Sequence, residues 1–183
     1  MDVVLKIVTS PDPLLNRVCE PCDVSDAGLA ELARQMTETM YAANGVGISA
    51  PQVGRLVRLV VVDCGCESDD KDPLVLVNPE VVEVKGEPVT EGEGCLSCPG
   101  VTAPVTRPPW ARVRFQDLAG DEWEIEGDGL LGRCLQHEVD HLNGITLFES
   151  CDDDARIELI SAYEAARKAG AQPGETAASA QVR

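Results

Sequence analysis

The chain has 183 residues, 44% of them hydrophobic but only 3% aromatic, which suits a single domain with an aliphatic core. Fifteen Lys and Arg stand against 32 Asp and Glu, a net charge of −17, so phosphate backbones and anionic lipid surfaces are repelled and direct nucleic-acid or membrane binding is excluded as a function. The longest apolar stretch, Leu56 to Val62, is interrupted by Arg58, and the N-terminus lacks the basic start of an export signal, so the eight cysteines are expected as thiols or metal ligands in a cytoplasmic protein.

The first predicted helix takes Ser25 or Asp26 as N-cap, carries Leu29, Leu32, Met36 and Met40 on one face, and stops near Asn44 and Gly45. Short strands follow at Leu56 to Val62, Leu74 to Val77, Val81 to Val84, Arg112 to Gln116 and Trp123 to Glu126, broken by Gly, Pro and Asp turns. A second helix spans about Gly129 to Leu142, with Gly144 available to end it. A last helix begins at Asp152, Asp153 and Asp154 and closes with Arg167 and Lys168, the charge order that the helix dipole favours. One domain over 1–170 is expected, followed by a disordered tail over 171–183 rich in Ala, Gly, Gln and Ser. Segregated helices and strands point to an α+β fold with antiparallel sheets, and the few aromatics, Trp110 and Trp123 among them, are expected in its core.

Both histidines lie in His137-Glu138-Val139-Asp140-His141. On a helix, positions i and i+4 share a face, so two imidazoles can hold one metal ion while Glu138 reaches a water beside it. The bland alternative is two surface histidines on an exposed helix face. A catalytic metal needs a third protein ligand. Two sources are open: a downstream acid, Glu158 or Glu164, as in a zinc metallopeptidase, or the upstream Cys95, beside Gly94 where the backbone can come close.

Gly45-Val46-Gly47-Ile48-Ser49-Ala50-Pro51-Gln52, Glu93-Gly94-Cys95-Leu96-Ser97 and Gln136-His137-Glu138-Val139-Asp140-His141-Leu142 together resemble the three signature motifs of the peptide deformylases, in that family's order and spacing. The resemblance covers about residues 3–148 and implies antiparallel sheets packed around the helix that carries the His-Glu-x-x-His motif. It implies a hydrolase that removes the formyl group from the N-terminal formylmethionine of new polypeptides, ribosome-associated nascent chains among them, and releases formate. By the same resemblance Cys95, His137 and His141 bind one divalent metal, iron(II) in the cell. Zinc, nickel or cobalt also suit a thiolate ligand in a purified sample. Glu138 becomes the general base, and the Gln52 side-chain amide and the Leu96 backbone N–H become the oxyanion donors. Gly45, Val46, Gly47 and Gly94 are expected to border the substrate, which pairs with the glycine loop as an added strand. Cys134, one turn before His137, either lines a methionine pocket or packs in the core.

Some positions depart from the family pattern. Ser49 replaces an alanine, with little effect expected, and Thr102 stands where an arginine is common. The acidic start of the last helix speaks against ribosome docking by a basic helix. Cys98 follows Cys95 closely enough for a disulfide that would remove a metal ligand. A non-catalytic alternative is a cysteine-rich metal or redox module, with Cys19, Cys22, Cys64 and Cys66 as a four-thiolate zinc site, although Cys-x-Cys is poor spacing for one.

Overall fold

The computed structural model describes residues 3–65 and 71–176. Among the described residues there are seven strands: β1 (Gly47–Ser49), β2 (Leu59–Val62), β3 (Leu74–Lys85), β4 (Val89–Glu93), β5 (Ala103–Arg107), β6 (Trp110–Gln116) and β7 (Glu122–Gly127). Four α-helices accompany them: α1 (Leu29–Ala42), α2 (Gly129–Leu142), α3 (Leu147–Ser150) and α4 (Asp153–Lys168). The strands form an antiparallel five-stranded sheet in the order β1-β2-β3-β6-β7 and a separate antiparallel pair, β4-β5.

Side-chain alternation in β2 explains the layering. Leu59 and Val61 enter one apolar cluster with Leu29, Ala33, Met36 and Met40 of α1, while Val60 and Val62 enter another with Cys134, Leu135 and Leu142 of α2. Both faces of a strand are therefore buried, which is why it reads as an unbroken apolar run. On α2, Arg133 donates to the Val89 and Val105 carbonyls, tying that helix to the β4-β5 pair as well as to the main sheet. The helix predicted to carry both histidines thus lies centrally, and its predicted limits match the observed ones. A third cluster joins β5, α3 and α4, and the Tyr163 hydroxyl donates to the Ser10 carbonyl at 2.8 Å.

Several boundaries differ from the sequence expectation. Ser25 and Asp26 do not cap α1: Asp23 and Asp26 accept from the backbone N–H groups of Ser25 and Gly28 in their own tight turns, and the helix begins after Gly28. Leu74–Lys85 is one strand rather than two. Asn78 (φ 52°) and Pro79 fall at an irregular stretch of the β3-β6 ladder, where the Asn78 side chain donates to the Cys22 carbonyl and accepts from the Cys22 N–H. Trp123 is 56% exposed, not core, and its indole N–H donates to Asp117. Residues 171–176 return to the body of the protein, where the Gly100 N–H donates to the Glu175 carbonyl at 2.8 Å. The rest of the expected tail, 177–183, lies outside the described residues, as does Cys66.

Candidate active site

Helix α2 buries one face, and His137 and His141 project from it with ring centroids 4.9 Å apart. His141 is 1% exposed, which removes the reading of two surface histidines. The loop after β4 brings Cys95 alongside: its Sγ stands 3.2 Å from His141 Nε2, and one ligand atom from each of Cys95, His137 and His141 falls within 4.8 Å of the others. A thiol and two imidazoles that converge this closely fit a divalent metal of borderline softness. Glu158 and Glu164, the other candidate ligands, are exposed on α4 and outside this group. Cys19 and Cys22 belong to no metal-holding group among the described residues. Burial pushes both thiols up to about 11, and Cys22 donates to the Arg58 carbonyl.

The two imidazoles are held in different ways. Burial pulls His141 well below its ordinary value, with nearby His137 and Arg107 adding to the effect, so it is a neutral imidazole ready to ligate. His137 Nδ1 meets Glu93 Oε2 at 3.1 Å, which turns its Nε2 toward the cluster. Glu93 is itself clamped: Arg107 donates to both its oxygens at 2.7 and 3.1 Å, and Arg133 lies 3.1 Å from Oε1. Burial alone would raise the Glu93 carboxyl, but His137 and Arg107 outweigh it and lower it to about 2. Arg107 also donates to Asp140 on α2 at 2.7 Å. Sequence reasoning missed this supporting layer of Glu93, Arg107 and Arg133.

Glu138 faces β1 and lines the same cleft as Cys95 and His137. It is 4% exposed, and burial raises its carboxyl to about 7, against partial opposition from His137 and the Ser49 hydroxyl. Its Oε2 is buried without a hydrogen-bond partner. The site is shaped around this group: a Cβ on Gly47 would stand 2.6 Å from Glu138 Oε1 and 2.8 Å from Cys134 Sγ. Across from it, Gln52 has a fixed amide. Its Oε1 accepts from the Ser49 N–H at 2.9 Å, with the Ser49 hydroxyl 3.1 Å away, leaving Nε2 to face Ser97 Oγ at 3.2 Å and Cys95 Sγ at 3.4 Å. Ser49, expected to have little effect, is therefore fully buried between the base candidate and the amide donor.

A cleft of about 380 Å³ opens on these groups. Gly45, Val46 and Gly47 form one wall and Gly94, Cys95 and Leu96 face them. The Leu96 side chain packs into the α1 cluster and against Gly45. A Cβ at Gly94 would meet nothing within 4 Å, so the protein's own packing does not demand glycine there. Cys134 packs in the α2 cluster, and it also lines the cleft. Cys95 and Cys98 are separate thiols in contact, with Cys98 buried 3.6 Å from the Ser10 hydroxyl.

Residues 4–156 match the family model for polypeptide deformylase. A peptide deformylase of Bartonella tribocorum is 47% identical over 140 residues, covering 75% of this chain and 79% of its own length. One from Rhizobium meliloti is 41% identical over 162 residues, covering 88% and 93%. Among solved structures, a peptide deformylase from Legionella pneumophila matches with a TM-score of 0.84 at 37% identity over 91% of this chain and 97% of its own. One from Synechococcus elongatus, in complex with actinonin, matches with a TM-score of 0.81 at 37% identity over 93% and 94%.

Proposed function

This chain belongs to the peptide deformylase family, enzymes that remove the N-formyl group from nascent peptides, and from that premise we propose which of its residues perform the reaction. Cys95, His137 and His141 hold one divalent metal, iron(II) in the cell. When bound, the metal acts as a Lewis acid, acidifying a water and polarising the formyl carbonyl.

The protein's own groups do the rest. Glu138, with its carboxyl near neutrality, takes a proton from the attacking water and returns it to the departing amine, so formate and a free α-amine leave. Gln52 donates through Nε2 to the oxygen that becomes negative, because Ser49 occupies its carbonyl side and prevents the amide from flipping. The Leu96 N–H is the second donor. A neutral amide suits this place, since it adds no charge beside the metal. Glu93 keeps the His137 imidazole oriented and pairs with Arg107 and Arg133.

The substrate peptide lies along β1, an edge strand of the main sheet, with the start of the Cys95 loop opposite. Main-chain pairing there reads little of the sequence, and the methionine side chain enters the apolar part of the cleft formed by Val46, Leu96, Leu130 and Cys134. Nascent chains at the ribosome in the cytoplasm are the source of substrate. The acidic opening of α4, Asp153 and Asp154 after an Asp152 cap, speaks against docking on RNA through the start of that helix. Among the described residues no helix is long and apolar enough to cross a membrane.

The observation that carries this assignment is the convergence of one thiol and two imidazoles beside a buried, unpartnered Glu138 oxygen and a fixed Gln52 amide. The test is formate release from a formyl-Met tripeptide by oxygen-free protein loaded with iron(II) or nickel(II), beside Glu138→Ala. Turnover that disappears in the variant is expected. Turnover that survives it would remove Glu138 as the base.

A further inference from the structure

Two thiols meet at the methionine end of the cleft, and the reaction assigned above makes no use of their chemistry. Cys64 follows Asp63 just beyond β2, and Cys134 lies on α2. The Val46 carbonyl brings them together: it accepts from the Asp63 N–H at 2.8 Å and from the Cys134 thiol at 3.7 Å, so the residue after Asp63 falls beside Cys134. Both side chains belong to the α2 cluster, Cys134 buried and Cys64 packed on its edge, and the two thiols are hydrogen-bonded to each other. That bond lowers the Cys64 thiol in spite of its burial, while the same bond together with burial holds Cys134 well above the ordinary value. The pair is separate from Cys95 and Cys98, which are in contact with one another.

Cys134 Sγ borders the reacting group. A Cβ on Gly47 would stand 2.8 Å from it and 2.6 Å from Glu138 Oε1, and Glu138 lies four residues further along the same face of α2. A disulfide holds its sulfurs about 2.05 Å apart, well inside any hydrogen-bond distance. Bridging therefore draws Cys134 Sγ toward Cys64 and off the Val46 carbonyl. The pocket wall moves with it, and so does the turn of α2 that carries the base.

We propose that Cys64 and Cys134 form a reversible oxidation site for hydroperoxides, and that the disulfide between them disables the methionine pocket while leaving the metal in place. Cys64, which is half-buried, meets the peroxide first. Its thiolate attacks the O–O bond and takes one oxygen as a sulfenic acid, and the other oxygen leaves as water with a proton from solvent. The Cys134 sulfur then attacks the Cys64 sulfur, the S–O bond breaks, and a second water leaves as the disulfide forms. Two thiols lose two electrons in all, one peroxide is reduced to two waters, and a dithiol reductant returns both thiols. The loss of activity rests on the deformylase assignment above, whereas formation of the disulfide does not.

The experiment exposes the full chain, loaded with nickel(II), to a few equivalents of hydrogen peroxide and then reads non-reduced peptide masses, bound nickel, and formate release from formyl-Met-Ala-Ser. A peptide linking Cys64 to Cys134 is expected, with nickel retained, kcat/KM lowered by about 10-fold or more, and both changes reversed by dithiothreitol. Cys64→Ser, outside the cleft lining, should turn over like the wild type and keep its activity under peroxide, and Cys98→Ser should respond as the wild type does. The peptide map reads the pair in wild-type protein whether or not a variant folds. No linked peptide in the wild type, a linked peptide with unchanged kcat/KM, or an equal loss in Cys64→Ser would overturn the inference; release of nickel with that equal loss would place the oxidation at Cys95. Absence of turnover before peroxide, with one metal bound, would instead sink the deformylase assignment, and the peptide map would still decide whether the pair closes.

Discussion

Gly47→Ala isolates how tightly the site is built around its base. The φ of Gly47 lies outside the left-handed region, so alanine is permitted by the backbone and the substitution tests space alone. The added methyl would stand 2.6 Å from Glu138 Oε1, 2.8 Å from Cys134 Sγ and 2.9 Å from Glu138 Cγ, where about 3.5 Å is comfortable. Relief requires nearly 1 Å of movement. β1 cannot supply it readily, because the Gly47–Ser49 ladder with β2 and the 2.8 Å bond from the Asp63 N–H to the Val46 carbonyl hold it in place. The Glu138 carboxylate must therefore shift, and a displacement of that size at a reacting group costs on the order of 10- to 100-fold in rate. Overpacking adds about 1 to 3 kcal/mol of destabilisation, or a Tm lower by about 2 to 10 °C for a chain of this length. The assay is kcat for formyl-Met-Ala-Ser with metal content measured on the same sample, together with thermal melting. A folded Gly47→Ala protein with one metal per chain and wild-type kcat would refute the claim that this glycine exists to seat Glu138.

Three further outcomes are expected. Gln52→Ala should lower kcat by about 10²- to 10³-fold with metal still bound, since an oxyanion donor is lost; a change confined to KM would contradict that role. Arg107→Ala should cost about 3 kcal/mol in urea unfolding of the metal-free protein, because it strips Glu93 and Asp140 of a cation that is 8% exposed. Glu138→Gln should stabilise the metal-free protein at alkaline pH. The folded carboxyl titrates near 7 against an ordinary 4.5, so the wild type loses stability as pH rises through that window, by at most about 3 kcal/mol, and the difference from the variant should close as pH falls to 4.5. A variant advantage that stays constant with pH would show that ionisation of Glu138 is not its cause.

Helices α2 and α4 were legible because each carries its own evidence, whereas the short α3 was not foreseen. α2 has an amphipathic run between glycines, and α4 has an aspartate cap and ordered charges. The strands that shape the cleft carried much less. β1 is three residues inside a glycine motif, and β4 has one apolar residue, Val89, with all but Glu93 exposed. β5 contains Pro104, which argues against a central strand but is tolerated in a two-stranded pair, where edges are open. Each of these strands is stabilised by its partner and by the helix beneath it, not by local preference.

The same contrast divides the site. His137, Glu138 and His141 are neighbours on one helix face, so spacing alone places them together. Cys95 and Gln52 come from other elements, and only their membership of recurring motifs joined them to the helix. Glu93 lay inside a quoted motif, yet its role depends on Arg107, 14 residues on, and His137, 44 residues on. One local signal did exist. In β5, Ala103, Val105 and Arg107 share the buried phase while Pro104 and Thr106 face out, so once the strand is recognised an arginine occupies a core position. A buried arginine requires carboxylate partners. Searching for them leads to Glu93 across the β4-β5 pair and Asp140 on α2, and from Glu93 to the histidine it orients. Dependence of this kind runs from pairing to burial to charge, and it becomes visible only after the strand register is known.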